Sequence, residues 1–309
     1  MTRSRLFRPA GPALAAGALV LAATLAGPAA AVEFDAGSGV TLELAPFAGY
    51  CAMDEARPAE AALIRTMRAA VGESMRVVLA FGDCEELVEL RDGKRQFLNR
   101  FGQILLVAQG DTVQRVSDSR PEYLAKVAKP FPTATLDEVA ANGEAQFKAT
   151  RPADAPKPVF AVIGHDDMAL YIATTSQQGH DDARTMVAGI AGISLVRQLQ
   201  MNVNLFAAYD GSTAQGVQVL DDLHHQMAAG IADLQFVNED VDTPVAALPV
   251  PNSSEWRAMG STALVGALAG GLLGGVGAMV IVLLRRRRRR APEEMTDLVA
   301  ENAETEHPL

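Results

Sequence analysis

The chain has 309 residues, 49% of them hydrophobic, yet its mean hydropathy is only +0.11 and 21% of its residues are charged, so the apolar excess sits in a few stretches and a multi-span membrane protein is excluded. The formal net charge is −10, and residues 32–257 carry 18 Lys+Arg against 31 Asp+Glu, a balance of −13 that repels phosphate backbones and argues against a nucleic-acid partner. Arginine far outnumbers lysine and alanine is abundant, the composition of a GC-rich bacterial genome.

Residues 1–31 predict a cleaved secretory signal. Arg3, Arg5 and Arg8 form its basic start, and the apolar run from Ala13 to Ala26 is too short to span a bilayer comfortably. Ala29 and Ala31 occupy the small-residue positions of a cleavage site, so the mature chain is expected to begin at Val32. Cys51 and Cys84 then fall in the exported part and are expected to pair as one disulfide, because that compartment is oxidising and Cys-x-x-Cys spacing is lacking.

Residues 32–238 predict one extracytoplasmic α+β domain, with helices packed on a largely antiparallel sheet. Val40 to Leu44 alternates as a half-buried strand does, and Pro58 opens a helix through Leu63, Ile64, Met67 and Val71 that Gly72 stops. Met75 to Phe81 and Phe101 to Ala108 read as strands flanking a short helix, Cys84 to Leu90, and an Asp92-Gly93 turn. Ser119-Arg120-Pro121 opens another helix, and Thr135 with Glu138 forms a capping box.

After the Pro-rich stretch 151–158, Val159 to Ile163 and Met168 to Thr174 predict a hairpin. Met186 to Val196, with Gly189 and Gly192 inside it, predicts a bent or bulged strand. Met201, Val203 and Leu205 alternate with Asn202 and Asn204, giving the cleanest strand pattern in the chain. Asp210-Gly211-Ser212 ends that strand and caps a long helix with Leu220, Leu223, Met227, Ile231 and Leu234 on one face.

Residues 239–257 are acidic and Pro-containing and predict an extended stalk. Residues 259–284 are free of charge over a length that exceeds the roughly 30 Å hydrocarbon core at about 1.5 Å per residue, and so predict one transmembrane helix. Arg285, Arg286, Arg287, Arg288, Arg289 and Arg290 follow at once and stay cytoplasmic under the positive-inside rule, while Trp256 suits the outer interface. Residues 285–309 form the cytoplasmic tail, an arginine block and then an acidic segment too poor in large apolar residues to fold alone. Gly266, Gly270 and Gly274 recur every four residues beside Gly271 and Gly275, a stripe that lets two helices approach and predicts a homodimer.

Chemistry-bearing residues are sparse. Gly-His-Asp-Asp occurs at Gly164 and again at Gly179, placing His165, Asp166, His180 and Asp181 in loops, and Asp221, His224 and His225 cluster on the long helix. His and carboxylate are the ligand types of a divalent metal, so a periplasmic metal-binding protein or metallohydrolase is the alternative reading. Turn residues and an exposed helix-face pair account for the same pattern without a metal. A nucleophile elbow, a phosphate loop, a His-Glu-x-x-His motif and a dinucleotide fingerprint are all missing. The expectation is a non-enzymatic protein without a cofactor, anchored in the bacterial inner membrane by a single pass, whose outer domain binds an envelope protein or other envelope component.

Overall fold

The computed structural model describes residues 31–239, apart from residues 38, 73, 111, 150–156 and 179–184. The bulk of the predicted signal, the stalk beyond Glu239, the apolar stretch 259–284 with its glycine stripe, and the arginine block all lie outside the described residues, as do His180 and Asp181. Within them the chain is a mixed α+β fold of ten strands and five helices.

Seven strands form one path: β3 (Tyr50–Ala52), β4 (Met75–Asp83), β5 (Arg100–Gln109), β10 (Leu199–Tyr209), β9 (Thr185–Val196), β8 (Leu170–Gln178) and β7 (Phe160–His165). Every pairing of neighbours along it is antiparallel, and β6 (Thr112–Val113) adds to β5. β1 (Val32–Asp35) and β2 (Thr41–Leu44) make a separate hairpin. Because β5 pairs directly with β10, the parts of the chain before and after residue 150 share one sheet.

Helices cover both faces of this sheet. One face, carrying Phe81, Ile104, Ile190, Val203 and Leu205, is buried under α4 (Leu136–Lys148), α5 (Thr213–Glu239) and the β1–β2 hairpin. The other, carrying Phe101, Leu105, Ile172, Ile193 and Phe206, is buried under α1 (Pro58–Val71), α2 (Cys84–Arg91) and α3 (Arg120–Ala128). The alternation of Met201 to Leu205 therefore does not mark a half-exposed strand: Asn202 and Asn204 are 1% and 0% exposed, as deep as the leucines beside them.

Local signals explain the helices. Pro58 at the start of α1 uses a position that needs no N–H donor, and Gly72, with φ near +72°, ends the helix where a side chain would be strained. α3 and α4 open on capping boxes, Ser119 with Glu122 and Thr135 with Glu138, which satisfy backbone N–H groups that helix starts leave free. At the start of α5, Asp210 accepts from the Ser212 N–H at 2.8 Å and Ser212 Oγ from the Gln215 N–H at 3.3 Å.

β9 is unbroken, contrary to the bulge that its glycines suggested. Its register with β10 runs without interruption from Val196↔Leu199 to Met186↔Tyr209, and the irregularities fall instead between Val77 and Leu79 in β4 and between Val162 and Gly164 in β7. Gly192 serves packing: a Cβ there would lie 2.4 Å from Ile231 Cδ1 and 2.9 Å from Met227 Sδ, so its hydrogen lets α5 approach the sheet. Gly230 does the same for α5 under Phe47, whose ring would meet a Cβ at 2.5 Å.

Cys51 and Cys84 form a disulfide, the pairing that the sequence predicts. It ties the edge strand β3 to the first residue of α2.

Candidate functional site

Those histidines and aspartates singled out by the sequence that lie among the described residues fall on the β7–β8 hairpin and on α5. His165 ends β7, and Asp166 follows in the turn to β8. The Asp166 carboxylate is fully used locally: Oδ1 accepts the Met168 and Ala169 N–H groups, each at 2.8 Å, and Oδ2 accepts the Tyr171 hydroxyl at 2.6 Å. Burial pushes the Asp166 carboxyl up, but these three donors more than offset it and hold the group below the usual aspartate value. Burial and the carboxylate together push the Tyr171 hydroxyl well up, so it stays protonated and donating.

From α5, His224 sets its ring edge-on to Tyr171, with centroids 4.7 Å apart, while His225 turns outward. His225 Nδ1 lies 3.0 Å from the Asp221 carbonyl oxygen and 3.6 Å from its carboxylate, an exposed pair one helical turn apart. The structure thus gathers the exposed Asp166 with Tyr171 and His224, and leaves His165, Asp221 and His225 outside that group on the surface. Among the described residues no three His, Cys, Asp or Glu side chains stand close enough together to hold a metal ion.

His224 has a consequence for pH. Its burial first, and His225 second, lower its pKa below the usual 6.5, against the opposing pull of Asp221 and Asp166. Tyr171 faces it as a neutral hydroxyl-bearing ring. A base with a depressed folded pKa binds fewer protons folded than unfolded, so stability rises with pH across that window. Urea midpoints should therefore fall as the pH drops from about 7 through the imidazole's unfolded pKa of about 6.5, and His224→Phe should flatten that part of the profile. Equal slopes in wild type and variant would contradict it.

A second constellation escaped the sequence reading. On the face covered by α1, α2 and α3, Gln103 of β5 stands directly opposite Asn204 of β10, with Asn202 two residues along on the same side. All three are at most 1% exposed. Gln103 Oε1, Asn202 Oδ1 and both polar atoms of the Asn204 amide make no hydrogen bond among the described residues, and neither does Thr174 Oγ1 of β8. The only signal in the sequence was the Asn-x-Asn alternation, which by itself reads as a solvent-facing row.

A third polar group closes the end of the sheet. Arg120 of α3 donates to the Leu195 carbonyl at 3.1 Å and to Gln235 Oε1 at 2.8 Å, and pairs with Glu239. Gln235 in turn donates to Ser194 Oγ at 2.7 Å and to Leu195 O at 2.9 Å. These bonds join a helix on one face to a helix on the other around the strand end. Ser194, 1% exposed and donating to the Met168 carbonyl, is a linker in this group and has no reach to solvent.

No family model, curated protein or solved structure matches this chain.

Proposed function

We propose that the protein is a non-enzymatic, single-pass protein of the bacterial inner membrane, whose α+β domain stands outside the membrane and binds an envelope protein or other envelope component. The observation that carries this reading is the bond between Cys51 and Cys84, a pairing that persists in oxidising compartments and is rare in the cytosol. The ends of the folded body add support. Asn238, in the last turn of α5, accepts the Glu43 N–H at 2.8 Å and donates to the Glu43 carbonyl at 2.9 Å, and Glu43 pairs with Glu33 one residue after Val32. Both ends therefore emerge together, as suits a body held by one anchor on its C-terminal side.

The anchor is the uncharged stretch 259–284, oriented by the six arginines that follow it, with the glycine stripe as the seam of a homodimer. No described helix is long and apolar enough to cross a membrane. A reporter enzyme that works only outside the cytoplasm should be active when fused after Glu239 and inactive when fused after Leu309. Equal activity at both positions, or release of the full chain from membranes by alkaline carbonate, would overturn the reading.

A further inference from the structure

We propose that Gln103, Asn202 and Asn204 form an internal site for a small uncharged molecule rich in hydrogen-bond donors, the chemistry shared by water and by compounds ending in a primary amide or ureido group. The site stands on the carboxamides alone and does not depend on where the protein resides.

The row in which they sit is set by register. Ala80 of β4 pairs with Gln103, Gln103 with Asn204, and Asn204 with Ala191 of β9, so two long polar side chains are flanked by two methyl groups on one face. Asn202 lies on the same face of β10, and its amide nitrogen reaches only the sulfur of Met75, at 3.9 Å. A buried amide group without a partner is strongly disfavoured, because it has given up water and gained nothing in exchange. Four such atoms on one face of two paired strands, Gln103 Oε1, Asn202 Oδ1, Asn204 Oδ1 and Asn204 Nδ2, call for a partner.

The identity of the atoms selects the ligand. Three are acceptors and one is a donor, so the complementary molecule brings several N–H or O–H groups and one acceptor. All the groups on offer are neutral, and an ion buried against them would have no counter-charge. A primary amide or urea group has this inventory, and one or two waters supply it in part.

The test is an experimental structure of the full chain in detergent at a resolution that shows ordered water, together with melting measurements. Density within hydrogen-bond distance of Asn204 Nδ2 and Gln103 Oε1 is expected. Acetamide should raise the melting temperature of the full chain relative to the same concentration of N,N-dimethylacetamide, which lacks donors, and Asn204→Leu should abolish that difference. Density without the acetamide difference identifies solvent as the occupant of the site. Gln103 and Asn204 bonded directly to each other, with no density between or above them, would overturn the proposal whatever the behaviour of the variant.

Discussion

Replacing Arg91 by alanine is expected to lower stability by about 3 to 5 kcal/mol, the cost of leaving a buried charge without its partner. Glu60, in the first turn of α1, is 0% exposed. It accepts from Arg91 Nε at 2.8 Å and from an Arg91 terminal nitrogen at 3.1 Å, and its second oxygen also takes the Asp54 N–H at 2.8 Å. The hydrogen bond to Glu60 raises the Arg91 pKa further above its already high value, so the guanidinium stays charged. Arg57, whose Nε lies 3.7 Å from the carboxylate, is half exposed and poorly placed to take over. Denaturant titration of Arg91→Ala reads the loss directly. The double variant Glu60→Leu with Arg91→Met should recover most of it, since an apolar pair removes the desolvation problem from both sides. A single-variant cost under about 1 kcal/mol would show that water reaches Glu60.

Loss of the disulfide is the second large effect. Cys51 and Cys84 are 33 positions apart, and closing a loop of that size stabilises by about 3 to 4 kcal/mol on the chain-entropy account. The Cys51→Ala, Cys84→Ala variant should lose that amount, and a reductant should lower the melting temperature of the wild type without moving the variant. The loop encloses Glu60, and its second cysteine opens the helix that ends at Arg91, so the two predictions act on one region. Their combined loss should therefore depart from the sum of the separate ones. Unchanged melting in reductant would show that the bond does not constrain the unfolded chain.

The elements that were legible in advance are those whose signal is local. Pro58 and Gly72 bracket α1, Thr135 with Glu138 opens α4, and Leu220 to Leu234 stripe α5, each within one or two helical turns. Strand order was not legible, because the pairing of β5 with β10 joins residues about a hundred positions apart and leaves no mark on either strand's own periodicity. The same blindness hid the burial of one correctly read strand and made a bulge of another. Asn202 and Asn204 look outward until α1 to α3 are placed over them, and Gly192 looks like a break until α5 is laid across it. Glu60 reads as one helical carboxylate among many, and only the packing of α1 against α2 makes it the deepest charge among the described residues. The paired Gly-His-Asp-Asp motifs drew attention by repetition, yet Asp166 in the first of them spends both oxygens on its own turn and on Tyr171.

The β5–β10 seam also sets an order of events in time. Synthesis runs from the N-terminus, so β3, β4 and β5 are made before β10, the strand that covers the free margin of β5. By contrast β7 to β10 follow one another as successive hairpins and zip locally once they emerge. Until β10 arrives, the margin of β5 is an unpaired strand edge open to other strands. The Cys51–Cys84 pair lies wholly within this first part, so closing it in an oxidising compartment requires nothing from β7 to β10.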